Sequence, residues 1–416
     1  MTTINLGQAK RALDEFRGNY HTGIDLMHHP PNDVPISDES LTEFAYSLEQ
    51  SSSELSHMKS VAEKVLTKCV ESLSNVDNIS RIVLSECHLC GCGRNDTGLD
   101  MVVLMKETEN LNQTTDELKS HISRLTSASA GRQVQPEEQS GVVERHEAPS
   151  LHTKALHFEH DSVHVNIAVG HRYSAEEEPH RVAIWNKIDQ LDKSGQLKKV
   201  HLDQFAIDLY ESTTLFMNNQ VAPGALGSEQ GVEKFVQGAL RLSRAWRQCC
   251  LSSRDIQFSP LDTWLVMLHS VQLEITKHVS HQPPQAKTES AISGIRKTLK
   301  ELIKGKGVQG KIKAGGREVS MKNVMKQFLH ELANLEQMNI QFSDFYDSSK
   351  IPDWIKTQRP LVLDPVCPYR NTVYNLHKHV NQDIKRHAQE CIKILEDPNA
   401  SLTKLFHLPT YKKRGA

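Results

Sequence analysis

The sequence predicts an α+β protein of two lobes, in which a twisted mixed β-sheet lobe is followed by an all-helical lobe. The chain has 416 residues, well above the roughly 150 of a single domain. Strand-like apolar patterns are confined to its first part, and helical periodicity dominates after Pro179. We therefore predict a core lobe at 1–178 and a helical lobe at 179–416.

The core lobe is predicted to begin with helices and to continue with two pairs of strands. Helical spacing of apolar residues predicts helices over 3–18, from about 37 to 73, and over 111–126. Apolar or alternating runs predict strands at 81–85, 99–105, 155–159 and 162–169, of which the last two form a hairpin. A polar loop rich in Ser, Gly, Gln and Glu is expected over 127–149.

The second lobe is predicted to be almost wholly helical. Its expected helices cover 181–194, 201–217, 231–250, 260–279, 289–304, 320–347 and 374–396. One segment of this lobe, 294–322, stands out because it carries nine basic residues against two acids, with five glycines between residues 305 and 316. We interpret it as a flexible basic insertion that could contact phosphates, with a solvated loop as the alternative.

Composition restricts the function classes. Lys and Arg total 49 and Asp and Glu total 51, so the net charge of −2 gives no overall attraction to a polyanion. No stretch of about 18 uncharged apolar residues is present, which excludes a membrane span. Residues 1–18 are too charged for a secretory signal, so we expect a cytoplasmic location, with the nucleus as the alternative, and reduced cysteines.

Four segments, in order, indicate one kind of fold. They are Thr-Gly-Leu-Asp-Met-Val-Val at 97–103, the hairpin around 155–167, Leu-Arg-Leu-Ser-Arg-Ala-Trp at 240–246, and Arg-Pro-Leu-Val-Leu-Asp-Pro at 359–365 with Pro368 and Asn371. Together they resemble the 2'-5' oligoadenylate synthetase branch of the nucleotidyltransferases, which includes the cyclic GMP-AMP synthase-like receptors. The resemblance covers about 60–395 and implies a bilobal fold and RNA-activated joining of nucleotides.

The departures from that family bear on catalysis. Its chemistry uses three carboxylates to hold two metal ions about 4 Å apart. In the register of the resemblance, Gly98, Asp100 and Asn166 stand at these three positions, so only Asp100 keeps its acid. We interpret the site as vestigial, needing no cofactor; Mg²⁺ would be required only if the chain is active.

Further departures affect the nucleotide pocket. Glu86 stands where the family has a phosphate-cradling Gly-Ser pair and would repel phosphate, and Leu261 replaces a Gln that helps hold the donor nucleotide. Arg244 replaces a phosphate-contacting Lys and could still serve that role. The Pro-flanked Asp364 is expected to be structural, because its carboxylate can cap a turn.

Two groups of residues could bind a metal but are interpreted otherwise. Cys87, His88, Cys90 and Cys92 lie close together, and Cys249 with Cys250 could complete a zinc site, although small packing residues are the preferred interpretation. The histidines that cluster around the predicted hairpin are interpreted as partly exposed, with a metal or pH-sensing role as the alternative. They are His152, His157, His160, His164 and His171.

The sequence therefore predicts a synthetase-like protein that is inactive and acts by binding double-stranded or structured RNA or a protein partner. The expected RNA-binding residues are Lys10, Arg11, Arg17, Lys304, Lys306, Lys311, Lys313 and Arg317. The first alternative is an active, template-independent enzyme that makes 2'-5' linked oligonucleotides or cyclic dinucleotides from ATP or GTP. The second is a structural scaffold that forms a homodimer.

Overall fold

The structure is a computed structural model in which the placement of fifteen stretches of the chain is described. They are residues 34–49, 56–57, 60–65, 67, 76–84, 99–107, 110–129, 156–160, 163–221, 230–250, 258–279, 312–314, 317–342, 345–374 and 376–406. The predicted helices at 3–18 and 289–304 and the polar loop that follows residue 129 lie outside these stretches.

A four-stranded mixed sheet organises the first part of the chain. Its strands, together with four short ones later in the chain, are β1 (Ile79–Leu84), β2 (Leu99–Lys106), β3 (Leu156–His160), β4 (Val163–Arg172), β5 (Ile312–Ala314), β6 (Arg317–Val319), β7 (Asn339–Ile340) and β8 (Leu361–Val362). The large sheet has the order β1-β2-β4-β3, with β2 and β4 parallel and the outer pairs antiparallel. The predicted mixed sheet is therefore confirmed.

Helices dominate the rest of the described chain. They are α1 (Asp38–Ser47), α2 (Leu111–Ser129), α3 (Glu177–Lys193), α4 (Lys199–Asp208), α5 (Tyr210–Val221), α6 (Gln230–Cys250), α7 (Pro260–Val279), α8 (Met321–Ala333), α9 (Asp353–Lys356), α10 (Lys378–Glu396) and α11 (Leu402–Phe406). Among the helices within these stretches, none combines the length and the apolar character needed to cross a bilayer.

Alternation along β2 gives the large sheet two buried faces. Met101, Val103 and Met105 pack with Val65 and Leu118 on one side. The intervening residues of β2 and β4 pack on the other side against helices α4 and α5; this second cluster consists of Val83, Val102, Leu104, Ala168, Ile207 and Tyr210. Because side chains alternate across a strand, each polar residue of β2 or β4 can be assigned to one of these faces.

The helical part has its own core around α6. Trp246 of α6 is fully buried and meets Phe328 of α8 edge to face, with ring centroids 5.5 Å apart. Helix α1, which lies far earlier in the sequence, also packs here: the Asp38 carboxylate accepts hydrogen bonds from the Ser320 hydroxyl at 2.6 Å and the Lys322 N–H at 2.8 Å. Asp38, at the start of α1, thus accepts a hydrogen bond from a backbone N–H in the first turn of α8. The division of domains at 178/179 stays a prediction.

The helix predicted from about 37 to 73 is interrupted after Ser47, where α1 ends, and the helix predicted over 374–396 begins only at Lys378. Two further helix predictions are wrong in extent. The predicted helix over 320–347 ends at Ala333, because the chain then enters a 3₁₀ turn and β7, which pairs in parallel with β8. The predicted helix over 201–217 is two helices, since α4 ends at Asp208 and α5 starts at Tyr210. In both regions, contacts with segments distant in sequence override the local apolar periodicity.

Candidate functional site

Asp100 and Asn166 lie side by side at the start of the two parallel strands. The register pairs them directly across β2 and β4. The Asn166 amide donates a hydrogen bond from Nδ2 to Asp100 Oδ1 at 2.5 Å, and both residues are buried, with 2 % and 7 % of their surface exposed. The structure therefore brings together two of the three positions that the sequence predicts to form the metal site.

Further along the two strands, the neighbours of the Asp100–Asn166 pair are apolar. The next residues on the same sheet face are Val102 and Ala168, which are fully buried against α4 and α5. One carboxylate with one amide offers a single negative charge for a site whose chemistry requires two divalent cations. No cluster of three or more His, Cys, Asp or Glu side chains suited to a metal ion occurs within the described part of the chain. The two described residues of the predicted site, Asp100 and Asn166, do not by themselves supply the charge that a two-metal centre needs.

The third predicted position, Gly98, lies outside the described residues, as do Glu86 and the predicted zinc ligands Cys87, His88, Cys90 and Cys92. Cys249 is half-buried and Cys250 buried, and both are in the thiol form. Burial raises the pKa of the Cys250 thiol, and its contact with the Cys391 thiol acts in the same direction. A thiol with a raised pKa is a poor metal ligand at neutral pH.

Two helical residues that the resemblance places at the nucleotide pocket, one predicted to contact phosphate and one to have lost its role, are buried. Arg244 lies on α6 with 1 % of its surface exposed, and its phosphate-binding role stays a prediction. Leu261 is 3 % exposed and packs in the core of the helical part. Beside it, Asp262 accepts hydrogen bonds from the Ser259 backbone N–H at 2.8 Å and hydroxyl at 2.6 Å. The tract that would hold a donor nucleotide in the family caps α7 in this chain.

The Arg359–Asn371 tract is buried over residues 361–368 and contains a turn. Asp364 accepts from the Val366 N–H at 2.9 Å and forms an ion pair with Arg370 at 2.7 Å. The Asn371 side chain accepts from the Val362 N–H at 3.1 Å, and the Trp185 indole of α3 donates to the Val366 carbonyl at 3.0 Å. As the sequence predicted, the Asp364 carboxylate closes a turn.

The predicted RNA-binding residues fall mostly outside the described stretches. Lys313 lies in β5 and Arg317 in β6, so the end of the predicted flexible loop is an antiparallel hairpin. The remaining residues, Lys10, Arg11, Arg17, Lys304, Lys306 and Lys311, lie in parts of the chain that the structure does not describe.

A second polar cluster, which the sequence analysis missed, lies at the opposite end of the same two strands. Asp208, at the end of α4, is fully buried and accepts hydrogen bonds from the His171 N–H at 2.8 Å and the Gln204 amide at 3.0 Å. The Tyr173 hydroxyl donates to its other oxygen at 3.3 Å. Burial raises the pKa of Asp208 to about 6, against the lowering effect of these donors.

One signal for this cluster was present in the sequence, namely Gly170 directly after the apolar run 167–169 of a predicted strand. A Cβ at this position would stand 2.8 Å from Asp208 Oδ1. The histidine interpretation also needs a correction: His160 is 7 % exposed and therefore buried, whereas partly exposed histidines were expected around the hairpin. His171 is half-buried, as that interpretation expected.

The layers, strand order and helical second part define a bilobal nucleotidyltransferase fold. The structure of CdnC from E. coli MS115-1 in complex with HORMA-deltaN superposes with a TM-score of 0.51 at 15 % identity, over 90 % of this chain and 93 % of that chain. The structure of the same protein with ATP gives a TM-score of 0.50 at 14 % identity, over 90 % and 94 %. No protein-family model matches this sequence, and no curated protein matches it.

Proposed function

We propose that this chain is a catalytically inactive protein of the nucleotidyltransferase fold, similar to the 2'-5' oligoadenylate synthetases, that acts by binding double-stranded or structured RNA. The observation that carries the proposal is the hydrogen bond between Asn166 and Asp100. It occupies one oxygen of the single remaining carboxylate with an amide, where catalysis requires a second acid.

The chemistry explains why this substitution removes activity. Nucleotide transfer needs one metal ion to activate the attacking hydroxyl and another to hold the triphosphate, each bridged by carboxylates. An amide is neutral, so Asn166 cannot compensate the charge of a second cation, and its N–H group points at Asp100 instead of offering a lone pair there. We infer that the fold has been retained while the metal centre has been lost.

RNA binding is proposed from the local excess of basic residues at 294–322 and the resemblance to RNA-activated enzymes. Contacts of Lys and Arg with phosphates are insensitive to base sequence and weaken as salt rises. We expect replacement of Lys304, Lys306, Lys311 and Lys313 by Glu to weaken binding of a long RNA duplex at least about tenfold and to flatten its salt dependence.

The matched control reverses the same number of charges elsewhere. Lys193, Lys199, Lys350 and Lys356 are exposed lysines outside the basic segment. Their replacement by Glu lowers the net charge equally but should affect RNA affinity much less. Equal losses in the two quadruple variants would mean that only the total charge matters and that the segment is no binding site.

The alternative function is an active enzyme. CdnC, which has this fold, has been captured with ATP, and a nucleotide could in principle bind here and react through an unorthodox metal site. The deciding experiment incubates the purified chain with labelled ATP and GTP, Mg²⁺ or Mn²⁺ and long double-stranded RNA, and separates the products by chromatography. RNA binding is measured on the same sample.

The three results have different meanings. Absence of products with retained RNA binding supports the proposal, and oligonucleotide or cyclic products overturn it. Absence of both would favour action through a protein partner, either a second copy of the chain or another protein, as CdnC is found with HORMA.

A gain-of-function variant sharpens the experiment. Gly98→Asp combined with Asn166→Asp restores the acids at both vacant positions, and Gly98→Asn alone adds comparable bulk without charge. If the pocket has otherwise survived, the double variant forms products and the control does not.

A further inference from the structure

The polar cluster at the end of β4 contains a tyrosine hydroxyl with two neighbouring acceptors. The Tyr173 hydroxyl lies 3.3 Å from Asp208 Oδ2 and 3.4 Å from His171 Nδ1. A hydroxyl has one hydrogen to donate, so it can serve one acceptor at a time. The half-buried Tyr173 ring is stacked on His180, with centroids 5.9 Å apart, which holds the hydroxyl between its two acceptors.

The other oxygen of Asp208 is already committed. Oδ1 accepts from the His171 backbone N–H and from the Gln204 amide. The Asp208 carbonyl lies 2.8 Å from His180 Nε2, so α3 is tied to the same residue. A proton taken up by the carboxyl would therefore lie on Oδ2, facing Tyr173, because Oδ1 has donors on it.

We propose that the junction between the sheet and helices α3 and α4 is a proton-operated hydrogen-bond switch, in which Tyr173 donates to Asp208 when the carboxyl is ionised and to His171 when it is protonated. In the protonated state Asp208 Oδ2 donates to the Tyr173 oxygen, and the Tyr173 hydrogen turns to His171 Nδ1. One proton enters, no bond between heavy atoms breaks, and Asp208 Oδ2 and the Tyr173 hydroxyl keep a hydrogen-bond partner in both states.

The charges around the switch lie on several elements. His171 and Arg172 approach from β4, Glu107 from the end of β2, and Lys187 from α3, with its ammonium 4.6 Å from the centre of the Tyr173 ring. Other ionisable groups near the buried His180 and Asp208 are Glu177, Arg181 and Glu211. Burial raises the pKa of Asp208 to about 6, so the two states would exchange within the physiological range.

The consequence is a coupling between pH and the place where the chain passes from the sheet into the helices. Residues 170–180 contain the predicted lobe boundary together with His171 and Tyr173, the two residues that the switch connects to Asp208 of α4. Proton uptake would redirect a hydrogen bond between the end of β4 and α4 without emptying the core. This inference is independent of whether the Asp100 site is active.

The test is the titration of Asp208 in the full chain, followed by NMR of ¹³Cγ-labelled aspartate and assigned with Asp208→Asn. Replacement of His171 by Leu distinguishes the switch from simple charge effects. If the switch operates, His171→Leu lowers the midpoint of the Asp208 titration by about half a pH unit or more, because the protonated state loses the acceptor of the Tyr173 hydrogen. Loss of a nearby positive charge alone would instead raise the midpoint.

Two further variants serve as controls. His171→Gln removes the ionisable imidazole but keeps an acceptor, so the Asp208 midpoint in this variant should remain nearer to that of the unmodified chain. Tyr173→Phe keeps the stacked ring and removes the donor, and it should raise the midpoint because the ionised state loses a hydrogen bond. A rise in His171→Leu, or an unchanged midpoint in Tyr173→Phe, would overturn the switch.

Discussion

The two ends of the parallel strands β2 and β4 carry opposite kinds of polar site. At their start lie Asp100 and Asn166, the two predicted acid positions that the structure describes. The register pairs them, and a hydrogen bond joins their side chains. At the end of β4, about 20 Å further on if each residue advances about 3.3 Å, the Asp208 carboxylate accepts three hydrogen bonds, and a buried ion pair joins Arg172 to Glu211.

The difference indicates which end of the two strands depends on precise polar geometry. Metal chemistry at the first end would need negative charge, which the Asn166 amide does not supply. At the second end, the lack of a Cβ on Gly170 leaves room for Asp208 Oδ1. The Asp208 carboxylate is buried there and surrounded by donors from α4 and the end of β4. We infer that the integrity of the fold depends on the second end far more than on the first, and the following predictions test this.

The largest expected effect comes from Glu211→Ala. Arg172, which is 6 % exposed, would lose its buried partner, and Arg81 would lose a contact of 3.0 Å. Removing one member of a buried ion pair costs about 3 to 5 kcal/mol, because the other charge stays desolvated. Urea denaturation measures the loss of free energy of unfolding.

The matched control is the exposed ion pair of Lys187 and Glu107, whose side chains are 40 % and 53 % exposed. Glu107→Ala should cost at most about 1 kcal/mol. If Glu211→Ala is no worse than Glu107→Ala, the end of β4 is not the firmly anchored site that we infer.

The next largest effect is a pH dependence that Asp208→Asn removes. Burial raises the pKa of Asp208 to about 6 from 3.8. Its contribution to stability is therefore complete below about pH 4 and is lost as the pH rises through 6, by about 2 to 3 kcal/mol. The free energy of unfolding is measured from pH 4 to 7 for both chains.

The comparison must include His180, because burial lowers its pKa to about 4 from 6.5. His180 affects the free energy of unfolding in the opposite direction. Its imidazole takes up a proton more readily in the unfolded chain, so stability falls as the pH drops below 6.5. The unmodified chain should thus vary little from pH 6 to 4, while Asp208→Asn loses stability there. Parallel curves for the two chains would contradict the raised pKa of Asp208.

An intermediate effect is expected for Gly170→Ala. The added Cβ would lie 2.8 Å from Asp208 Oδ1, 3.0 Å from Leu104 Cδ2 and 3.1 Å from Ile207 Cγ2. Overpacking of this kind costs about 2 kcal/mol. In the control Gly238→Ala, the nearest atom lies at 3.3 Å and helix propensity improves, so the change should remain within about 1 kcal/mol. Equal thermal midpoints for both variants would show that the sheet adapts freely.

The strands of this sheet could be predicted from sequence, and the site at one end of them could be located. Alternating or apolar runs identified β2 and β4, and the resemblance placed Asp100 beside Asn166, which the register of the structure also does. These features could be predicted because they depend on local sequence, namely strand periodicity and one short motif.

The rest depended on contacts between distant residues. Asp208 is 37 residues from His171, and a single acid at the end of a helix gives no indication of its partner. The premature end of α8 has the same origin, since β7 forms only where β8 can pair with it. Single-sequence periodicity does not contain that information.

The smallest expected effect returns to the first end, with Asn166→Asp, which replaces one N–H donor group by an isosteric oxygen. At pH 7 two carboxylates would face each other, at a cost of about 1 to 2 kcal/mol, and a shared proton would relieve most of this at pH 5. Asn166→Ala, which adds no charge, should lose the same amount at both pH values. Thermal unfolding at the two pH values measures the difference. If Asn166→Asp matches the unmodified chain at pH 7, Asp100 does not need the amide donor, and a cation or another donor must occupy that oxygen.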